Sequence, residues 1–300
     1  MTIRHVVAAF AALAAVAGCS TTGSPAESGE RYYVSIGDSY AAGYQPTSAT
    51  SGTTSTEGFA YQVAEKTRVH GVPMRLANFG CSGVTSGQVL DEPGCDPAAL
   101  GPDPADYGGL PQARAATRFV AEHRGRVGLI TVVVGGNDIR PCLPIGAPLR
   151  DDALDCVDDA VSRLRGNLAE LLTELRAAAG PDVPIIGLTY PDMLLGAWLR
   201  DGQRGKDIAA ASVGVFRDRL NTALREEYSE VGAEFVDITA ATGAYTPLDA
   251  TTTDPAHGVV PQAVAKACEF THFCSVGDVH PTVHGHTLIA ERVVRAAHIA

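Results

Sequence analysis

The chain has 300 residues, of which 45% are hydrophobic and 19% are charged, proportions typical of a globular protein with a substantial core. Its 34 acidic residues outnumber its 23 basic residues, so the formal net charge is −11. A charge of this sign repels nucleic acid and disfavours broad adsorption to anionic lipid, and we expect neither as a partner.

Residues 1–18 have the features of a bacterial export signal. Arg4 supplies the positive charge, and the apolar run that follows it is too short to span a bilayer. Val-Ala-Gly precedes Cys19, which resembles a lipobox, where the cysteine receives a diacylglycerol anchor. Cleavage after Ala17, at a small-x-small pattern, is the alternative. Both alternatives predict export, either as a cell-envelope lipoprotein or as a secreted protein.

The remaining chain divides into two parts. Residues 19–30 contain Cys19 and a small, polar tether, and residues 31–300 form one globular domain without an internal repeat or a second linker. Within the domain, the Ser/Thr/Gly-rich stretch Gln45–Gly58 is typical of a mobile surface loop.

Short apolar segments alternate with amphipathic ones along this domain. The segments predicted as strands are Tyr32–Ile36, Arg75–Phe79, Leu129–Val134, Val183–Thr189 and Glu234–Ile238. The segments predicted as helices are Phe59–Val69, Gln112–His123, Ala153–Ala179, Asp207–Val231 and Val283–Ala297. This alternation predicts a three-layer α/β/α sandwich around a mostly parallel, five-stranded sheet. Functional loops of such a sheet gather at the carboxyl ends of its strands.

Residues with useful chemistry follow the first three predicted strands. Ser39 comes after the first strand, Gly80 after the second, and Asn137 after a Gly-Gly pair that ends the third. His280 stands at the start of the last predicted helix. Each residue alone is typical of a turn or a helix cap. Together they would supply a nucleophile, two oxyanion donors and a base.

The order and content of these segments resemble the SGNH hydrolase superfamily, whose members include GDSL-type lipases. The matching residues are Gly37-Asp38-Ser39-Tyr40, with Tyr in place of the usual Leu, Gly80 in a Gly-Cys-Ser-Gly context, Gly135-Gly136-Asn137-Asp138, and His280-Pro281. The resemblance covers roughly residues 32–295, and within the superfamily the chain resembles exported actinobacterial lipases and esterases.

The resemblance implies a flavodoxin-like fold and the hydrolysis of carboxylic esters without a metal or organic cofactor. Ser39 would be the nucleophile and His280 its base. The backbone N–H groups of Ser39 and Gly80 and the side-chain amide of Asn137 would form the oxyanion hole. The other histidines are given no role.

The group that orients His280 has two alternatives. The usual family pattern places an aspartate three residues before the histidine, but that position is Gly277, and Asp278 stands only two before. The Asp278 carboxylate would reach the imidazole through a different turn and complete a triad. Alternatively, a backbone carbonyl accepts this hydrogen bond and leaves a Ser–His dyad. We favour Asp278.

Cysteine usage agrees with export. Seven cysteines are present, and setting aside Cys19 leaves an even number in a compartment where disulfides persist. Sequence permits many connectivities, and local pairing is the simplest. These local pairs, which also resemble those of the actinobacterial branch, are Cys81–Cys95, Cys142–Cys156 and Cys268–Cys274. The chain has no CxxC or HExxH motif, so no metal site is expected.

The sequence therefore predicts an exported lipase or esterase that acts on lipid or simple acyl esters. A carbohydrate O-deacetylase is the alternative within catalysis, but the loops over residues 44–58 and 245–274 carry few aromatic side chains for sugar stacking. A non-catalytic lipoprotein that binds ligand is the alternative from another class, and the joint presence of Ser39, Asn137 and His280 argues against it. We expect a monomer whose partner is the ester, with contact to a membrane only through an anchor at Cys19.

Overall fold

The computed structural model of the chain describes Met1 and residues 29–143, 151–200 and 202–299. The predicted export signal beyond Met1, the predicted lipidation site Cys19 and the tether up to residue 28 lie outside the described residues.

The described residues form short strands and helices in alternation. The strands are β1 (Tyr32–Gly37), β2 (Tyr44–Pro46), β3 (Gly52–Thr54), β4 (Arg75–Asn78), β5 (Val127–Val133), β6 (Ile185–Leu188), β7 (Glu234–Val236), β8 (Thr251–Asp254) and β9 (Gly258–Pro261). The helices are α1 (Ser39–Ala42), α2 (Phe59–Val69), α3 (Ser86–Asp91), α4 (Gln112–Glu122), α5 (Gly136–Ile139), α6 (Ala153–Ala179), α7 (Gln203–Gly214), α8 (Asn221–Glu230), α9 (Ile238–Ala241), α10 (Gln262–Phe270), α11 (Phe273–Val276) and α12 (Val283–Ala296).

The central sheet has the strand order β4-β1-β5-β6-β7, and all of its neighbouring strands are parallel. The chain moves outward from β1 to β4 and then returns to lay β5 on the other side of β1. Because the strand order reverses there, a crevice opens between the carboxyl ends of β1 and β5, where doubly wound proteins bind ligands. Ser39 follows β1 and Asn137 follows β5. The predicted α/β/α fold with a five-stranded parallel sheet is confirmed.

Burial explains why these segments form a sheet covered by helices. Every residue of β1 and of β5 is buried, as expected for central strands with helices on both faces. Helices α2 and α12 pack against each other, and α6 packs against both α4 and α8. Helix α6 contributes leucines at helical spacing, each at most 2% exposed, namely Leu164, Leu168, Leu171, Leu172 and Leu175.

The helix predicted over Asp207–Val231 is interrupted in the structure. Helix α7 ends at Gly214, a π-helical segment follows over Val215–Leu220, and α8 then begins. A π turn widens the helix locally and is frequent at functional sites. The prediction of one regular helix was wrong because the amphipathic pattern is similar on both sides of the π turn, so periodicity alone does not reveal it.

The segment predicted as a mobile loop, Gln45–Gly58, contains ordered structure. Strands β2 and β3 pair antiparallel across it, with Tyr44 opposite Thr54. The Ser/Thr/Gly content hid this hairpin because its short strands lack apolar alternation.

Three local disulfides bracket loops of the domain. The bonds are Cys81–Cys95, Cys142–Cys156 and Cys268–Cys274, with Cα–Cα distances of 6.0, 5.5 and 5.2 Å. Each restricts the unfolded chain and is expected to stabilise the fold by on the order of 2–3 kcal/mol.

Within the described part of the chain, we find no helix whose length and apolar character would let it cross a bilayer.

Candidate active site

A serine, a histidine and an aspartate form a hydrogen-bonded chain at the carboxyl end of β1. The Oγ atom of Ser39 lies 2.7 Å from Nε2 of His280, and Nδ1 of His280 lies 2.6 Å from Oδ1 of Asp278. Ser39 is the first residue of α1, whereas Asp278 and His280 lie in the turn between α11 and α12. In this geometry the imidazole can take the serine proton while the carboxylate holds the other ring N–H.

The turn that contains Asp278 explains how a two-residue spacing still reaches the imidazole. Oδ1 of Asp278 accepts hydrogen bonds from both the backbone N–H and Nδ1 of His280, at 2.8 and 2.6 Å. The side chain thus folds back over its own turn, as aspartates often do. Gly277 precedes it with φ 77°, in the left-handed region that favours glycine. The partner of Nδ1 is therefore the carboxylate rather than a backbone carbonyl.

The protonation of Asp278 suits this role. Burial alone would raise the pKa of this carboxyl group, but the hydrogen bonds and the charge of His280 outweigh burial and hold the pKa below its usual value. The carboxylate therefore stays ionised near neutral pH, where it stabilises an imidazolium.

Tyr40 connects the turn that carries His280 to α1, which begins with Ser39. Its hydroxyl donates a hydrogen bond of 2.9 Å to the backbone carbonyl of Val279, the residue before His280. The ring of Tyr44 covers the imidazole, with 4.4 Å between the ring centroids. These contacts fix His280 relative to Ser39 without touching the reacting atoms.

The turn that presents Ser39 requires a glycine. Gly37 has φ 143°, and a Cβ atom there would lie 2.0 Å from the carbonyl oxygen of Val133. The buried side chain of Gln112 accepts from the N–H of Gly37 at 3.0 Å and donates to its carbonyl at 2.9 Å. A side chain from α4 thus holds the end of β1, and Ser39 projects from a fixed turn.

Two further buried residues, which the sequence analysis missed, join the ends of β1 and β5. Asp38 accepts hydrogen bonds from the backbone N–H of Tyr40 at 3.0 Å and from the hydroxyl of Tyr190 at 2.6 Å. The Tyr190 ring also lies against Gly136, where a Cβ atom would be 3.0 Å from it. Burial raises the pKa of Asp38 to about 6, despite these bonds. The only available signal was that Tyr190 follows a predicted strand.

Gly80 does not supply an oxyanion donor, so this prediction was wrong. Its N–H donates to the buried Oδ1 of Asn78 at 2.9 Å and is therefore unavailable to a substrate. Its Cα packs on α1, because a Cβ atom would lie 2.3 Å from the nitrogen of Ala42. The later glycine of the same loop, Gly83, lines the cavity together with Ser39 and Asn137. No hydrogen bond within the described residues engages the N–H of Gly83.

Asn137 lines the same cavity and is tied to this glycine loop. Its Nδ2 donates a hydrogen bond of 2.9 Å to the carbonyl of Val84. A primary amide carries two N–H donors, so the second remains for a ligand. The neighbouring Asp138 accepts from the N–H of Ser86 at 3.0 Å and from its hydroxyl at 2.5 Å. The segments after β4 and β5 are thus joined beside Ser39.

Replacing Asn137 with alanine is expected to lower kcat by about 10²–10³ with little change in KM, because the amide acts on charge that develops in the transition state. Steady-state kinetics on a soluble ester would measure this. Asn167→Ala is a matched control, since Nδ2 of Asn167 bonds Ser86 of the same loop at 2.9 Å without lining the cavity. An unchanged kcat in Asn137→Ala would mean that Asn137 only shapes the turn and donates no hydrogen bond to the transition state.

His286 is a fully buried histidine beneath the site. Its ring centroid lies 6.2 Å from that of Tyr40, and Nδ1 accepts from the backbone N–H of Phe59 at 3.2 Å. Burial, with smaller contributions from the charges of His280 and His272, lowers the pKa of His286 to about 3. The ring is therefore neutral in the folded protein near neutral pH.

This lowered pKa predicts acid sensitivity. Histidine in the unfolded chain binds a proton below about pH 6.5, whereas the buried ring does not bind one until about pH 3. The stability that depends on the neutral ring is complete above pH 6.5 and is lost as the pH falls toward 3. Burial raises the pKa of Asp38 to about 6 and that of Asp192 to about 7. These two carboxyl groups therefore make the folded protein more stable as the pH falls, which opposes the effect of His286.

Comparing variants isolates the contribution of His286. The variant His286→Asn keeps an acceptor for the Phe59 N–H but cannot be protonated. Between pH 7 and 5, wild type should lose about 2 kcal/mol of unfolding free energy relative to this variant, because Asp38 and Asp192 titrate equally in both. Urea denaturation at the two pH values would measure the difference. The control is His70→Asn at an exposed histidine, and an equal loss in wild type and in His286→Asn would contradict the argument.

The cavity above Ser39 has a volume of about 250 Å³. It is lined by Ser39 and His280, by Gly83 and Asn137, and by a group of apolar side chains. No cluster of three or more His, Cys, Asp or Glu side chains in the described part of the chain is arranged to hold a metal ion.

Residues 35–288 match the profile of the GDSL-like lipase/acylhydrolase family. The extracellular lipase of Streptomyces rimosus aligns with 18% identity and a TM-score of 0.55 over 89% of this chain and 99% of that one. An acetylxylan esterase from Geobacillus stearothermophilus aligns with 17% identity and a TM-score of 0.48, covering 90% of this chain and 94% of that one. The M. smegmatis aryl esterase aligns with 14% identity and a TM-score of 0.45, covering 90% and 98% of the two chains. These likenesses concern the fold, and no curated protein matches the sequence.

Proposed function

The chain belongs to the GDSL-like lipase/acylhydrolase family and is a serine ester hydrolase, and we propose that it cleaves carboxylic esters through an acyl-enzyme on Ser39. The observation that carries this proposal is the continuous chain from Asp278 through His280 to Ser39, with hydrogen bonds of 2.6 and 2.7 Å. The chain of bonds ends in a cavity large enough for a substrate.

The first half of the reaction acylates Ser39. Nε2 of His280 takes the hydroxyl proton while Oγ of Ser39 attacks the ester carbonyl carbon. Asp278 holds the opposite N–H and stabilises the imidazolium. The tetrahedral intermediate then collapses, its bond to the leaving oxygen breaks, and His280 returns the proton to that oxygen. An alcohol leaves and an acyl-enzyme remains.

Three donors are proposed to hold the oxyanion. Ser39 opens α1, so its N–H has no helical carbonyl to bond. Gly83 and Asn137 line the same cavity, and the N–H of Gly83 and the second amide hydrogen of Asn137 are the proposed donors. Each donor of this kind typically contributes about 3 kcal/mol to the stability of the transition state. Gly83 thereby takes the place that the sequence analysis gave to Gly80.

The second half of the reaction releases the acid. His280 removes a proton from water, the resulting hydroxide attacks the acyl carbon, and the proton passes to the departing Oγ of Ser39. No metal or organic cofactor enters these steps.

A fluorophosphonate probe tests the proposal. It should label the wild-type protein once, and peptide mass spectrometry should place the label on Ser39. The variant Ser39→Ala should not be labelled. A folded wild-type protein that hydrolyses no ester and takes no label would instead be a binding lipoprotein, and the proposal would fail.

We further propose that the protein is exported and anchored through a lipid on Cys19. The three disulfides support export, since such bonds persist in oxidising compartments. Detergent phase partitioning of cell extracts tests the anchor: wild type should enter the detergent phase and Cys19→Ala the aqueous phase. Aqueous partitioning of both would support cleavage after Ala17 and simple secretion.

A further inference from the structure

The cavity at Ser39 must hold both parts of an ester, the alcohol part and the acyl part. His280 must deliver a proton to the leaving oxygen, so the alcohol part of the ester lies beside the imidazole. Val279 and Tyr44 line the cavity on this side. The acyl part lies on another side of the same carbon, and the apolar remainder of the cavity is the space left for it.

This remainder, which we call the acyl pocket, consists of five apolar side chains. Their exposed fractions are between 2% and 9%, and they are Ile139, Leu143, Met193, Leu194 and Phe216. Within the described residues, the acyl pocket has no ionised side chain, and Arg140 lies on the exposed rim. A hydroxyl-rich acyl group would find no partners here, whereas a hydrocarbon chain would lose its contact with water.

The acyl pocket is held in shape by the elements that carry it. Asp192 accepts hydrogen bonds from the N–H of Leu194 at 3.1 Å and from the hydroxyl of Ser212 on α7 at 2.8 Å. Its buried carboxylate thus fixes the turn with Met193 and Leu194 to α7. The π-helical segment follows α7 directly and carries Phe216, which is the most buried of the five side chains at 2% exposure. Phe216 therefore lines the pocket from the π-helical segment with almost no exposure to solvent.

The size of the cavity indicates which lengths of acyl chain would fit. Its volume of about 250 Å³ is slightly below the usual range for sites that bind drug-sized molecules. An acetyl group has a single methyl beyond the carbonyl and would leave most of this apolar space to water. The acyl pocket is only part of this volume, so a chain of intermediate length would fill it, while a palmitoyl chain would extend beyond it.

Resting on the proposed function, we propose that the acyl pocket selects medium-length aliphatic acyl chains over acetyl groups. In this proposal Phe216, a bulky lining side chain that is the most buried of the five, limits the accepted length. The π turn is thus a determinant of specificity, since a regular helix continuing α7 would point a different side chain at this position.

Hydrolysis of p-nitrophenyl esters from acetate to palmitate, each below its solubility limit, tests the proposal. The value of kcat/KM should rise by roughly two- to fourfold for each added methylene until the pocket is full, and then fall. Phe216→Ala should move the optimum to longer chains, and Phe216→Trp should move it to shorter ones. Partial unfolding cannot move the optimal chain length in opposite directions in the two variants. If Phe216→Ala does not fold, Phe216→Leu takes its place.

Leu220→Ala is the matched control, because Leu220 lies in the same π segment at 0% exposure without lining the cavity. It should lower stability and leave the optimal chain length unchanged. A wild-type optimum at acetate, or equal profiles in the Phe216 and Leu220 variants, would overturn the proposal. In either case hydrolysis that depends on Ser39 would leave the proposed function standing, whereas a protein without any hydrolysis or probe labelling would overturn both.

Discussion

Alanine in place of Ser39 is expected to remove esterase activity, lowering kcat by a factor on the order of 10⁶. The substitution deletes the only atom that attacks the ester, and it also removes the 2.7 Å hydrogen bond to Nε2 of His280. The fold should survive, because alanine fits where serine does and the turn is held by Gly37 and Gln112.

Active-site titration, kcat on a p-nitrophenyl ester and the melting temperature should be measured together. Ser229→Ala, an exposed serine on α8, is the matched control and should keep wild-type turnover. If purified, folded Ser39→Ala kept the turnover of the control, Ser39 would not be the nucleophile.

The second large effect concerns Asp278. Asp278→Asn is expected to lower kcat by about 10²–10⁴, by analogy with the serine-protease triad. The amide carries no charge to stabilise the imidazolium, and its NH₂ group favours the wrong tautomer of His280. The loss should fall mainly on kcat, since the 2.6 Å contact to Nδ1 lies on the side of the ring away from the substrate.

Asp91→Asn, at an exposed aspartate that ends α3, controls for the loss of one charge. Kinetics of the two variants at the same pH would separate a catalytic effect from a general electrostatic one. A loss below about fivefold would mean that Ser39 and His280 act as a pair, with Asp278 only shaping the turn.

The sequence was informative where local chemistry and sheet geometry act together. Apolar runs bounded by glycine located the strands of the central sheet, and parallel strands bring their carboxyl ends to one edge. Ser39 and Asn137 could therefore be placed together before any distance was known. His280 needed the family resemblance, because nothing in its own turn distinguishes it from the other histidines.

The sequence could not show which backbone N–H is free. Gly80 and Gly83 lie in the same loop, and only the position of the Asn78 side chain shows that the N–H of Gly80 is already bonded. Similarly, the reach of Asp278 depends on one side-chain torsion, and the role of Tyr190 depends on a contact across 152 residues. These features are tertiary, and no spacing along the chain encodes them.

The active site joins the two ends of the chain. Ser39 and His280 are 241 residues apart, and Tyr40 ties the helix of the nucleophile to Val279 beside the base. A ribosome takes on the order of tens of seconds to make this interval, and no nascent chain holds both groups before then. On the proposed mechanism, chains and fragments that end before His280 lack the base and should not hydrolyse esters. An activity assay would therefore also report that the segment from Ser39 to His280 is present.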